Sequence, residues 1–401
     1  MILRTNYLEQ IKPFIGKNII KILIGVRRSG KSTLMEQVRD SIVASGVESS
    51  CTLHINLESA AHASLVSYRN LYDYIAEAMV PQKKNYVFID EIQEVQGWEK
   101  ALRSLLVDFD VDLYVTGSNS QLLSSELATY ITGRYVEIPV YPLSFVEFLE
   151  GLSSQGVKMG RQEAFLKFLV QGGFPFQYEL SFEDRPTLQY LGDVYNAVLL
   201  KDVVQRNAVR DAGQLERITD YVIEQVGHTL SAKSISDYLK SEKLSISVDT
   251  IYNYLRFAEA ACLLYRVKRE DAVGKRALKF NEKFYLVDQG LRSARGFSNV
   301  ESIDQVLENI VFMELKRRGY EVTVGKVGER EIDFIAKKGS EVAYFQVCYL
   351  LSHESTFERE FGALEAIQDN HPKYVLSLDP VQRNVNGIKN LNIADWLCGE
   401  E

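Results

Sequence analysis

At 401 residues the chain is too long for one ordinary hydrophobic core, so two or three domains are expected. Apolar residues make up 46% and charged residues 25%, the balance of a globular protein. A net charge of −8 and an isoelectric point near 5.4 argue against general affinity for nucleic acid or membrane surfaces and leave only a local basic patch for such roles. The four cysteines, Cys51, Cys262, Cys348 and Cys398, form no C-x-x-C pair, which disfavours a zinc ribbon or a redox pair. No run nears the ~18 apolar residues of a spanning helix, and Met1–Arg4 lacks the layout of a signal peptide. The expectation is a cytoplasmic protein with reduced thiols.

Tyr7 to Phe14 reads as a short helix, and Asn18 to Ile24 as a buried, β-branched strand. The strand feeds Gly25-Val26-Arg27-Arg28-Ser29-Gly30-Lys31-Ser32, a match to G-x-x-x-x-G-K-[ST], followed by Thr33 and by helix-compatible sequence from Ser32 to Asp40. In such a loop the glycines let backbone N–H groups converge on an anion, and the helix N-terminus adds its partial positive charge. Lys31 then reaches the β- and γ-phosphates, and the Ser32 hydroxyl becomes a magnesium ligand. The candidate nucleotide-binding residues are Gly25, Arg28, Ser29, Gly30, Lys31, Ser32 and Thr33, with ATP and Mg2+ as the expected cofactors. The bland alternative is a glycine turn with a surface lysine, which the flanking strand and helix weigh against.

A second strand, Cys51 to Leu57, and a second helix, Tyr68 to Met79, continue an alternation that implies a parallel sheet covered on both faces. Asn85 to Glu91 is an apolar strand closed by two acids. A strand beside the loop strand is where Asp90 would hold magnesium, with Glu91 placed to polarise an attacking water; the alternative is that the pair only caps a helix from Ile92 onward. After a helix over Trp98 to Val107, the strand Val111 to Thr116 runs into Gly117-Ser118-Asn119-Ser120 at the ligand-binding edge of the sheet. Ser118 or Asn119 there could bond the γ-phosphate or the water, or be an ordinary capping turn. A helix is expected over Leu122 to Ile131. Thr132-Gly133-Arg134 then precedes the strand Tyr135 to Val140, and Arg134, beside the nucleotide edge, is either a γ-phosphate finger or a surface ion-pair donor.

These motifs, with Phe88-Ile89-Asp90-Glu91-Ile92-Gln93, Thr116-Gly117-Ser118, Tyr141-Pro142-Leu143-Ser144-Phe145-Val146-Glu147-Phe148, Gly172-Gly173-Phe174-Pro175, the Lys201-Asp202 pair and the stretches around Asp333 and Gln346, resemble the prokaryotic AAA-type ATPases that carry an uncharacterised C-terminal domain. The resemblance covers nearly the whole chain. It implies ATP binding, a sheet with an additional strand between the loop strand and the acid strand, and a cytosolic bacterial or archaeal origin. It supplies no biological role.

The fold class expected is therefore α/β: a P-loop NTPase parallel-sheet domain, a helical and winged-helix region, and a smaller α/β endonuclease-like domain. The expected limits are 1–150 for the ATPase domain, 151–212 for a helical lid or connector, 213–290 for a winged helix-turn-helix and 291–401 for the last domain. Leu149 to Arg161, with its glycines and serines, reads as the first boundary, followed by helices over Glu163 to Val170 and Pro186 to Val204. The winged helix would use Leu215 to Val226, Ala232 to Ser241 and Val248 to Ala261, capped by Ser231 and Ser247, then strands Leu263 to Val267 and Lys283 to Val287. Its recognition helix carries few cations, while its wing has Lys268, Arg269, Lys275, Arg276 and Lys279, so the partner is DNA or protein. Glu308, Asp333 and Gln346-Val347-Cys348 resemble a restriction-endonuclease-like core in which the E-x-K strand has lost both its acid and its lysine. Two carboxylates and no cation would remain, and the expectation is a fold without hydrolysis, against the alternative of an ATP-gated nuclease.

Overall fold

The computed structural model describes residues 2–120, 133–272 and 276–400, side chains excepted at 276–281. The helix expected over Leu122–Ile131, Thr132 and Lys275 lie outside the described residues, as do the side chains of Arg276 and Lys279. The chain falls into two compact units, Met1–Tyr141 with Ala260–Cys262, and Pro142–Glu259 with Leu263–Glu401. No helix among the described residues is long and apolar enough to cross a membrane.

In the first unit, helix α1 (Thr5–Ile11) leads into strand β1 (Ile20–Ile24), then α2 (Lys31–Ala44), β2 (Thr52–Asn56), α3 (Tyr68–Ala78), β3 (Asn85–Asp90), α4 (Trp98–Asp108), β4 (Val111–Gly117) and β5 (Tyr135–Pro139). The strands pair in the order β2-β3-β4-β1-β5, parallel throughout. Every residue of β1, β3 and β4 is buried, which is why these strands read as largely apolar runs rather than alternating ones, with Lys21 and Asp112 as the charged exceptions. The acid strand β3 is not the neighbour of the loop strand: β4 lies between them, the order implied by the resemblance. At the amino edge Lys21 and Asp112 form an ion pair with no solvent exposure. Asp112 Oδ2 also accepts from the Gly16 N–H at 2.7 Å and the Tyr114 hydroxyl at 2.9 Å, so neither charge is buried without partners.

The second unit begins with α5 (Phe145–Ser154), started by a capping box between Ser144 and Glu147. This helix runs through buried Gly151, so the polar stretch read as a boundary opens as helix. Then follow α6 (Arg161–Gln171), α7 (Asp184–Ala197), a π-helical continuation over Val198–Gln205, α8 (Ala212–Glu224), a short β6 (Thr229–Leu230), α9 (Ala232–Ser241) and α10 (Val248–Ala260). Beyond them lie β7 (Leu264–Asp271), β8 (Arg276–Leu286), α11 (Gln289–Ala294), α12 (Ile303–Arg317), β9 (Glu321–Val327), β10 (Arg330–Lys338), β11 (Glu341–Val347), α13 (Glu354–Glu365), β12 (Lys373–Ser377), β13 (Lys389–Asn392) and α14 (Ile393–Leu397). Ser231 and Ser247 accept from the backbone N–H groups of Ser234 and Thr250, as their capping roles require. One mixed sheet, β13-β12-β11-β10-β9-β7-β8-β6, takes in the β7–β8 hairpin, because β7 runs parallel to β9 from Arg269 opposite Val324 to Asp271 opposite Lys326.

The Gly172-Gly173-Phe174-Pro175 turn has a packing reason. A Cβ at Gly173 would stand 2.2 Å from the Leu143 carbonyl oxygen, and one at Gly172, where φ is +67°, would overlap the Asp288 carboxyl. Asp288 is buried and accepts the N–H groups of Gly173 at 2.7 Å and Gly290 at 2.9 Å, tying the end of α6 to the start of α11. Burial pushes its pKa up to about 7, against the lowering effect of those two donors. The folded state therefore holds this proton where the unfolded chain has released it, so the group's contribution to stability falls as pH rises from about 4 to about 7. Asp288→Asn should remove that slope while losing one side-chain acceptor for a backbone N–H, at a cost of about 1–3 kcal/mol. Urea midpoints of parent and variant at pH 5 and pH 8 check this: the parent should lose more stability over the interval than the variant.

Candidate functional site

The phosphate-loop sequence forms a cradle at the carboxyl end of β1. Gly25 is required by close packing, since a Cβ there would lie 2.1 Å from the Val140 carbonyl oxygen. Arg28 at φ 68° and Gly30 at φ 94° wind the loop through left-handed conformations, which costs a residue such as arginine about 1–2 kcal/mol. Helix α2 then starts at Lys31 with no side chain capping its first turn, leaving its N–H groups for an anion. The Lys31 ammonium is buried and lies back on the loop, donating to the carbonyl oxygens of Gly25 and Val26, each at 3.0 Å. Ser29 is fully buried, and its hydroxyl has no hydrogen-bond partner among the described residues. Arg28 and Ser32 are exposed, while Thr33 and Gly30 are half-buried. An uncapped helix start, a loop wound through left-handed residues and a buried hydroxyl with no partner among the described residues are the features that fit a bound phosphate chain.

Two residues outside the loop, Arg4 and Glu58, hold its shape. Arg4 donates to the Ser29 carbonyl at 3.3 Å and to the Tyr141 carbonyl at 2.9 Å, and Arg27 pairs with Glu58 beyond β2 at 3.1 Å. Arg4 could not be found from sequence, because nothing local marks a residue 25 positions upstream as a loop support.

The acid pair lies across β4 from the loop. Register sets Asn56 beside Asp90, Ile89 beside Val115 and Ile24 beside Gly117, so the ends of β1, β3 and β4 form one rim. The Thr116 hydroxyl donates to Asp90 Oδ1 and accepts the Glu91 N–H at 2.9 Å, so one side chain fixes both acids. Glu91 is buried and left-handed at φ 57°, a strained state for a non-glycine residue that is met most often at functional positions. Its Oε2 accepts from Gln93 Nε2 and from the Ser118 hydroxyl at 3.4 Å. Asn119 follows, half-buried, on the same rim. Thr116 and Gln93 were not singled out as site residues from sequence; a threonine ending an apolar strand beside the acid strand was the available signal.

Arg134 requires a correction. It precedes β5, its carbonyl accepts the Ile20 N–H at 2.8 Å, and Tyr135 stands opposite Ile20. Because β1 and β5 are parallel, Arg134 lies at the amino edge, about six residues or ~20 Å along the strands from Gly25. It is not beside the nucleotide edge and does not reach the loop of its own chain.

In the second unit, Glu308 on α12, Asp333 on β10 and Gln346 on β11 meet in a cleft of about 780 Å³. Gln346 accepts the Asp333 N–H at 2.7 Å and donates to Glu360 at 2.6 Å, and Asp333 Oδ2 accepts the Val347 N–H at 2.8 Å. Cys348 is buried in the apolar cluster with Ile332, Leu351 and Phe361, and burial pushes its thiol well above the usual range. The expectation of two carboxylates and no cation is wrong on both counts. Lys283 on β8 places its ammonium 2.8 Å from Glu308 and 2.8 Å from Glu331, a third acid on β10.

Sheet order, loop and acid pair define the class: a parallel α/β fold of the P-loop NTPase type. Residues 17–149 match the AAA domain family, and residues 162–301 match a domain of unknown function, DUF8612. A Walker-type ATPase of Pyrococcus abyssi shares the fold at a TM-score of 0.51 and 14% identity, over 73% of this chain and 95% of its own. An uncharacterized protein of Haemophilus influenzae is 39% identical over 400 residues, 99% of this chain and 98% of the relative, and the chain belongs to its family. An uncharacterized protein of Methanocaldococcus jannaschii is 29% identical over 94% of this chain and 85% of the relative.

Proposed function

We propose that the chain hydrolyses Mg-ATP and uses the nucleotide cycle to drive or gate binding of a macromolecule through its C-terminal half. The observation that carries this is the pairing of an uncapped α2 N-terminus and the Lys31 ammonium with a rim that holds Asp90 and Glu91. In this reading Gly25, Arg28, Ser29, Gly30, Lys31, Ser32 and Thr33 hold the phosphates, and Ser32 with Asp90 holds magnesium through hard oxygen donors. Glu91 takes the proton of the attacking water, while Ser118 and Asn119 orient that water or the γ-phosphate. The bound metal supplies charge neutralisation at the phosphate oxygens.

Arg134, excluded from its own loop by the strand register, serves as a finger for a neighbouring subunit. Phosphate release at fixed ATP tests this: turnover per chain should rise with protein concentration, and Arg134→Ala should flatten that rise and slow turnover by as much as ~10³. A concentration-independent rate unaffected by Arg134→Ala removes the arginine from the mechanism.

A second reading is favoured by the bonds from Gln93 and Ser118 to Glu91, which hold the base away from a free water: ATP as an occupancy switch for a DNA-binding regulator with negligible turnover. The layout of α8, α9, α10 and the β7–β8 hairpin supports a winged helix for the partner, DNA or protein, and the arrangement of Glu308, Asp333 and Gln346 supports an endonuclease-like domain that does not cut. A phosphate-release rate at the background of Glu91→Gln would favour the switch.

A further inference from the structure

The C-terminal cleft has a cation of its own, supplied by an element outside the endonuclease-like pattern. Lys283 comes from β8, its side chain is 4% exposed, and its Nζ lies 2.8 Å from Glu308 Oε1, 2.8 Å from Glu331 Oε1 and 3.9 Å from Asp333 Oδ1. Those three carboxylates come from two elements, α12 and β10, and converge on one point in a wall of the cleft. The Tyr285 hydroxyl donates to Glu308, and Arg269 donates to Glu331 at 2.8 Å, so the acids are oriented from behind as metal-ligating carboxylates usually are. We propose that the Lys283 ammonium is the resident cation of this cleft, standing where Glu308, Glu331 and Asp333 would otherwise close on a hard divalent ion, so that the cleft keeps its shape without a metal and excludes one.

The charges support this. Burial alone would lower the lysine's pKa, but Glu308, Asp333 and Glu331 together raise it, so the ammonium stays charged. Lys283 lies against Glu308 and Glu331, and Arg269 donates to Glu331, so the oxygens a metal would need already have cationic partners. An ammonium donates along three directions at about 2.8 Å, whereas a divalent ion demands oxygens near 2.1 Å. The lysine thus fills the space and also spreads the ligands. Among the described residues no three His, Cys, Asp or Glu side chains are grouped closely enough to hold a metal. Removing the ammonium takes the Lys283 cation from Glu308 and Asp333, leaving a space the size of the lost side chain beside them, a demand for a hard cation.

This inference deepens the endonuclease-like reading of the domain, and its test fails separately. That reading stands or falls on a cleavage assay, this one on a binding isotherm. The full chain without nucleotide is titrated with Mn2+ while free Mn2+ is followed by electron paramagnetic resonance. The parent should bind no more Mn2+ than Asp333→Asn does. Lys283→Ala should take up one additional equivalent at least about tenfold more tightly than any site in the parent, and Lys283→Ala with Asp333→Asn should lose it. If Lys283→Ala does not fold, refolding with Mn2+ should recover soluble protein with the parent's circular dichroism. An ion bound by the parent and lost in Asp333→Asn overturns the proposal. So does a folded Lys283→Ala that gains no ion, or an unfolded one that Mn2+ does not recover.

Discussion

Lys31→Ala should weaken ATP binding by on the order of 10²–10³, the usual consequence of deleting one partner of a charge-assisted, desolvated contact. The ammonium now lies on the carbonyl oxygens of Gly25 and Val26, so it is already at the mouth of the cradle and needs only to exchange those partners for phosphate oxygens. The same bonds create a complication, because the variant also loses a brace of the loop. Lys31→Met keeps most of the buried stem and loses only the charge, so thermal melting of the two variants separates a collapsed loop from a lost phosphate contact. Isothermal titration with ATP then reads the affinity. Parent-like affinity in a folded Lys31→Met would remove the loop from the nucleotide site altogether.

Glu91→Gln should leave ATP affinity within a few-fold and slow phosphate release by about 10²–10⁴, the usual worth of a positioned general base. An amide is nearly isosteric with the carboxyl and can still accept from Gln93 and Ser118 through its oxygen, while it takes no proton from water. The backbone N–H bond to Thr116 is unaffected by the exchange, so the rim should keep its geometry. Equal rates in parent and variant would reduce Glu91 to a turn residue. A variant that loses ATP binding as well would indicate that its charge supports the rim rather than the chemistry.

The loop and the acid pair were legible in sequence because their chemistry is local: a phosphate cradle must be contiguous, and a buried strand closed by acids announces its own edge. The sheet elements followed for a related reason, since β1, β3 and β4 are buried on both faces and leave short, mostly apolar runs. What sequence could not assign was anything decided by register between distant strands. Arg134 was read at the wrong edge because a glycine turn before a strand looks the same at either end, and only the pairing of Ile20 with Tyr135 tells which end it is. In sequence Lys283 is a strand residue without chemistry, because its partners are 25, 48 and 50 positions later and no spacing rule connects them. Thr116 and Gln93 fall between these cases: both stand within the motifs, but the hold of Thr116 on the acids depends on β4 being the strand next to β3.

The parallel pairing of β7 with β9 also governs how this protein can be divided. A polypeptide ending near position 290 would retain α8 to α10 and the hairpin but strip β9 from β7, leaving the backbone groups from Arg269 to Asp271 without their partners on a newly exposed edge. Such an edge invites pairing with other chains. The complementary fragment would lose Lys283 from among Glu308, Glu331 and Asp333 and carry unneutralised acids in its interior. The helices, the hairpin and the sheet beyond them belong to one folded unit, which a cut at that junction would break.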